Sequence, residues 1–180
     1  MLLHRTFVAA LRKAMQASVV LAATSSAMAP AWAQEPLPSP TGPVILSVSG
    51  TIAVTNNGDS ADFDREMLYA LGLGDLETTT AWTDGIQSFR GVTLQKVLER
   101  VGAEGTTVTA TALNDFVTSF PFSDAQQYGV LLAAFMNGEE MPVRDRGPLW
   151  IVYPRDDFPE LQQPEYNDRW AWQLRSLEIR

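Results

Sequence analysis

Alternation opens the ordered part of the chain: Val44, Leu46 and Val48 interleave with Ile45, Ser47 and Ser49, which predicts a strand interrupted at Gly50 and resumed over Ile52 to Val54. Asn56-Asn57-Gly58-Asp59 follows as a turn cluster. Beyond it Phe63, Met67, Leu68 and Leu71 recur at helical spacing, with Asp62 as the expected N-cap and Gly72 and Gly74 as the stop. Glu77 to Trp82 has the β-branched content of a strand and ends in Thr83-Asp84-Gly85. Phe89 to Val92 then leads into a second helix: Thr93 is its N-cap, Leu94, Val97, Leu98 and Val101 form its apolar stripe, and Gly102 occupies the left-handed position at its end. Lys96 falls off that stripe and reads as a solvated lysine rather than a Schiff-base nucleophile. Thr106 to Ala112 and Phe116 to Phe122 pair across the Asn114-Asp115 turn, and Ser123 starts a brief helical turn. Val130 to Met136 meets Glu139 to Met141 across Asn137-Gly138, a strong hairpin signal because both residues tolerate positive φ. Leu149 to Tyr153 is a buried strand, a long polar excursion follows, and Trp170 to Ile179 closes as a strand with Leu174, Leu177 and Ile179 toward the core.

Short strands, two small helices and no repeating βαβ rhythm predict a single α+β domain with mixed or antiparallel sheets over residues 44–180. Ahead of it, residues 34–43 alternate proline with small residues and read as an extended leader. Residues 1–33 have a basic start, a short apolar stretch and Ala31-Trp32-Ala33, the pattern of a cleaved secretory signal. The apolar stretch falls short of the ~20 residues that a membrane span needs. The expected location is periplasmic or secreted, with no membrane span after cleavage.

Cleavage changes the chemistry available. His4 and Lys13 leave with the signal, so the mature chain has no histidine, no cysteine and one lysine, Lys96. That excludes a Ser-His-Asp triad, a thiol nucleophile, a disulfide and the usual nitrogen and sulfur zinc sites. All 21 acidic residues stay behind, so the full chain's net charge of −8 becomes more negative still. Such a surface repels nucleic acid and anionic lipid.

The segment Arg144 to Pro154, RDRGPLWIVYP, sets two arginines and Asp145 at the mouth of a rigid strand. A guanidinium there can hold a carboxylate or phosphate through paired hydrogen bonds. The plain alternative is a solvated loop in which Arg144 and Arg146 pair with Asp156 and Asp157, worth only ~0–1 kcal/mol.

FRGVTLQKVLERVGA, then TATALNDFVTSFPFSD, LLAAFMNGEEMPVRDRGPLWIVYP and WQLRSLEI, in that order, resemble the molybdopterin-binding oxidoreductase domain of the sulfite oxidase family. The resemblance covers most of residues 44–180. It implies that domain's mixed fold, with a pocket between the segment after the early strand, the Gly147-Pro148-Leu149 turn and the last strand. It also implies a molybdenum ligand, a cysteine in the family, on the stretch that here reads TTTAWTDG, near Thr80 to Trp82. This chain offers hydroxyls and an indole there, which are poor substitutes for a soft thiolate. Trp150 and the pair Trp172-Gln173 stand where family members tend to carry an arginine and a Lys-Trp pair. The candidate ligand-contacting residues are Thr80, Trp82, Asn114, Arg144, Asp145, Arg146, Trp150 and Trp172, with no catalytic residue and no metal ligand identified.

Two readings follow, and the sequence does not decide whether the protein is an enzyme. One is an exported, non-redox member that binds an anionic or aromatic small ligand, or an envelope signalling protein. The other is a molybdopterin-dependent oxidoreductase with a non-thiolate ligand set, Arg144 and Arg146 holding the anion. A third is a carboxylate hydrolase using Asp145 with Asp156 or Asp157.

Overall fold

The computed structural model describes residues 35–180, and the expected signal over residues 1–33 lies outside them. Among the described residues ten strands form two five-stranded sheets with four short helices around them, a mixed α+β fold. No helix there is long and apolar enough to cross a membrane.

In the first sheet, β1 (Val44–Gly50) pairs antiparallel with β2 (Ala61–Asp64) and parallel with β10 (Leu174–Ile179). The sheet continues antiparallel through β5 (Thr107–Ala112) to β6 (Val117–Pro121). Leu46, Val48, Val108, Ala110, Leu174, Leu177 and Ile179 turn one face of it into the core. The second sheet runs β3 (Gly74–Thr79), β4 (Ile86–Thr93), β7 (Leu131–Met136) and β8 (Glu139–Glu140), with β9 (Trp150–Val152) on the remaining part of β7. All three β9 residues are buried, which fits its nearly continuous apolar sequence.

Several local signals work as chemistry requires. Thr93 caps α2 (Leu94–Arg100) by accepting a hydrogen bond from the Lys96 amide, and the whole predicted stripe is buried. Gly102 has φ +58°, as a left-handed stop demands. Asn137 and Gly138 both have positive φ and join β7 to β8. Lys96 is more than a solvated lysine: its ammonium donates to the Gly72 carbonyl at 2.8 Å and ties α2 to the loop before β3.

Other expectations are corrected. Ile52 to Val54 is not a strand; the Ala53 and Val54 amides instead donate to the Val101 carbonyl at the end of α2. Phe63 belongs to β2, and α1 (Arg65–Tyr69) is capped by Asp64 rather than Asp62. Phe89 to Val92 is the middle of β4, not a lead-in, and Gly91 is required because a Cβ there would collide with the Leu132 carbonyl of β7. β3 stops at Thr79 and β10 starts at Leu174, which leaves Trp82, Trp170 and Trp172 outside the sheets. The Pro-rich leader docks: Leu37 is buried in the core, and Asp64 accepts from the Thr41 and Gly42 amides at 2.7 and 2.9 Å.

Candidate functional site

The end of β3 is held from across the molecule. Asp156, just after β9, accepts hydrogen bonds from the Thr79 amide and the Thr79 hydroxyl, both at 2.6 Å, and its own amide donates to Thr78 Oγ1. Burial works to raise its pKa, but the Thr79 hydrogen bonds outweigh that and hold the carboxyl below its ordinary value. The expected pairing of Arg144 or Arg146 with Asp156 is therefore replaced, because Thr79 and Arg155 surround that carboxylate.

Beyond the staple the chain turns sharply. Thr80 is buried and spends its hydroxyl on the turn, sharing a 2.8 Å hydrogen bond with Thr83 Oγ1 and accepting from the Trp82 amide at 3.0 Å. This turn throws the Trp82 indole inward. Its ring lies 5.5 Å from Trp170, 5.6 Å from Trp172 and 6.3 Å from Trp150, at interplanar angles of 52°, 81° and 64°. Steep angles are what the ring quadrupoles prefer.

Trp150 is the centre of this cluster, fully buried against Phe89 at 5.4 Å. Arg146 lies over its ring at 5.1 Å, donates to the Trp82 carbonyl and pairs with Asp145 at 3.2 Å. Arg144 and Asp145 are exposed. The Arg144 to Arg146 loop is fastened to the cluster through Gln173, whose side chain donates to the Val143 carbonyl at 2.7 Å and whose amide donates to the Arg146 carbonyl. Gly147 makes this possible, since a Cβ there would collide with the Met141 carbonyl.

On the other side of the cluster a cavity of about 240 Å³ opens to solvent. Trp82, Phe116, Trp170 and Trp172 form its apolar walls, and Asn114, Asn167 and Asp168 supply its polar groups. Of the candidates from sequence, Trp82, Asn114 and Trp172 meet here. Trp150 stands behind the wall as core, Thr80 is absorbed in the turn, and Arg144, Asp145 and Arg146 lie outside the lining. Trp170, one of the aromatics that the sequence concentrates toward these segments, joins the site from outside the candidate residues, as do Phe116, Asn167 and Asp168. The crowding of aromatics after Tyr153 was the available signal for Trp170; nothing in sequence marked the other three.

The wall segment 167–172 is anchored from behind. Asp124, in α3 (Asp124–Gln127), is buried and accepts from Tyr153 Oη at 2.9 Å and from Arg169 Nη1 at 2.7 Å. Burial first, then the Asp124 charge, pushes the Tyr153 hydroxyl far above its ordinary pKa, so it stays a neutral donor. Burial opposes the charge on Arg169, but the Asp124 hydrogen bond outweighs it and raises the pKa.

Residues 66–156 match the family model described as the oxidoreductase molybdopterin binding domain, about half the chain. The chain belongs to this family. Among solved structures, the sulfane dehydrogenase SoxCD from Paracoccus pantotrophus superposes with a TM-score of 0.55 at 21% identity. That match covers 74% of this chain and 37% of that one, and it establishes the sulfite-oxidase-type fold alone. No curated protein matches the chain.

The family's cofactor is a poor fit to the residues present. No cysteine exists anywhere in the chain, and the hydroxyl nearest the expected ligand position, that of Thr80, is already engaged on both sides. The cavity lining has no basic side chain to meet a phosphate and carries a carboxylate, Asp168, instead. Its volume is below the ~300 Å³ at which pockets for larger ligands begin. Among the described residues no three His, Cys, Asp or Glu side chains cluster as a metal site. The chain thus keeps the family's fold and carries no cysteine thiolate for its metal.

Proposed function

We propose that this protein is a non-redox member of the family, which binds a flat, uncharged or cationic nitrogen heterocycle between the tryptophans of the cavity. The observation that carries this reading is the lining itself: indole and phenyl walls, two asparagines, one carboxylate and no basic group. Aromatic walls favour a planar ring, and the Asn and Asp side chains accept hydrogen bonds from ring N–H and amino groups. A carboxylate at the cavity disfavours anionic ligands, so of the ligand types open from sequence the aromatic one is supported and the anionic one is not. A pterin ring without dithiolene, metal or phosphate is the member of this chemical class nearest to the family's cofactor, and it makes a natural first probe.

The secretory pattern of residues 1–33 places this binding outside the cytoplasm in our reading, where the bound state serves as a signal to an envelope partner. Testing it begins with protein purified from the exported fraction of its own host, so that any cofactor is loaded. Metal analysis should find no stoichiometric molybdenum, and added pterin should quench the tryptophan fluorescence saturably. Molybdenum near one per chain would overturn the proposal and restore the oxidoreductase reading with a ligand set other than thiolate.

A further inference from the structure

We infer that Arg169 is the positioning residue of the aromatic cavity, acting through its pair with Asp124; the inference rests on the ligand-binding reading above. Segment 167–172 supplies four lining residues, Asn167, Asp168, Trp170 and Trp172, and belongs to no strand. One backbone bond, from the Ile151 amide of β9 to the Ala171 carbonyl at 2.9 Å, ties the segment to the second sheet, and no ladder continues from it to set the directions of Asn167, Asp168 and Trp170. Arg169 sits in the middle of the segment and reaches back, away from the cavity, to a carboxylate that is 3% exposed. Its guanidinium is also stacked on Tyr166, 4.1 Å from the ring centroid. Asp124 in turn is fixed by Tyr153 Oη, and the Tyr153 ring lies 6.1 Å from the Trp170 ring. Arg169 and Trp170, adjacent in the chain, thus meet the same Asp124–Tyr153 pair, one through its guanidinium and the other through its ring.

A second observation bears on positioning. Trp170 Nε1 and Asn167 Oδ1, on either side of Arg169 in sequence, are buried and make no hydrogen bond to another protein group. Polar contacts of their own therefore do not set their directions, which leaves the Arg169 pair, the Tyr166 stacking and the packing of the Trp170 ring on Tyr153 to hold the wall.

The test uses the full chain as purified and compares wild type with Arg169→Lys, which keeps the charge but loses the planar fork and the stacking. Near-ultraviolet circular dichroism reads the packing of the indoles without any ligand, and tryptophan quenching by pterin reads affinity. The expected result is a cooperatively melting variant with an altered near-ultraviolet spectrum and pterin binding weakened between about twofold and thirtyfold. A lower melting temperature with an unchanged spectrum and unchanged affinity would mean a structural pair only and would overturn the inference. Should wild type fail to bind pterin, the ligand reading falls, while the near-ultraviolet comparison still decides the clamp. Should Arg169→Lys fail to fold, Tyr153→Phe removes one donor from Asp124 and leaves the ion pair. A change in the tryptophan band of that variant, apart from the lost tyrosine contribution, is expected, and an unchanged tryptophan band would overturn the inference.

Discussion

Trp150 offers the sharpest check on the division between core and cavity wall. It is fully buried, touches Phe89, Trp82, Trp170 and Trp172 with its ring, and carries Arg146 on one face. An indole buries roughly 150–250 Å², which at about 25 cal/mol per Å² is an upper estimate of about 4–6 kcal/mol. Truncation to alanine in a core of this kind costs about 3–5 kcal/mol. For a domain of this size that lowers the melting temperature by roughly 6–20 °C. Trp150→Phe should behave very differently. Its smaller ring leaves a void, but it also removes Trp150 Nε1, a buried donor with no partner that costs about 1–3 kcal/mol. The two effects oppose each other, so Trp150→Phe is expected within about 1.5 kcal/mol of wild type. Urea unfolding followed by circular dichroism measures both variants on one scale. Equal and severe loss in Trp150→Phe and Trp150→Ala would refute the reasoning, because it would mean that the indole N–H is satisfied in solution and holds the core together.

Three further outcomes follow from the contacts described. Asp156→Asn should cost about 1 kcal/mol at neutral pH, a charged hydrogen bond discounted for its exposure. Because the folded carboxyl titrates below its unfolded value of ~3.9, that contribution is complete above this pH and disappears as pH falls through the folded pKa. The difference between variant and wild type should therefore vanish in acid melts, and a difference that persists there would contradict the assignment. Leu37→Ala should lose about 2 kcal/mol in urea unfolding if the leader is part of the core, whereas no measurable loss would return residues 35–43 to a loose tail. Gly147→Ala should lose about 3 kcal/mol or fail to accumulate, since the obstructing atom is backbone and cannot swing away; a wild-type melting curve would show that the loop has room.

What could be read in advance divides along physical lines. Capping and periodicity are local, and they located α2, the β7 to β8 hairpin and the buried β9 strand from Thr93, Asn137-Gly138 and the Leu149 to Tyr153 run. β4 escaped because its character comes from neighbours: Gly91 is present for the close approach of β7, and no alternation announces that. Asp62 was expected to cap the first helix, but it lies inside β2 opposite Ser47, and Asp64, the last residue of that strand, serves instead. Trp82, Asn114 and Trp172 were legible as site candidates through aromatic content and the family's order of segments, and the cavity does gather them. Arg144 and Arg146 suggested an anion site, but charge in sequence does not reveal direction: Arg144 is exposed, and the Arg146 guanidinium lies over the Trp150 ring. The Asp124 to Arg169 clamp joins residues far apart in the chain with no motif to link them.

The parallel pairing of β1 with β10 has a consequence for how the molecule assembles. The first strand finds its central neighbour only in the last one, and β5 and β6 reach β1 only through it. Contacts of such long sequence separation form slowly, because the loop entropy is spent before they return any energy. A nascent chain lacking β10 would hold two unjoined pieces of sheet, each with an open edge. The segment that walls the cavity lies immediately before that strand, so the cavity is among the last parts of the protein to take shape.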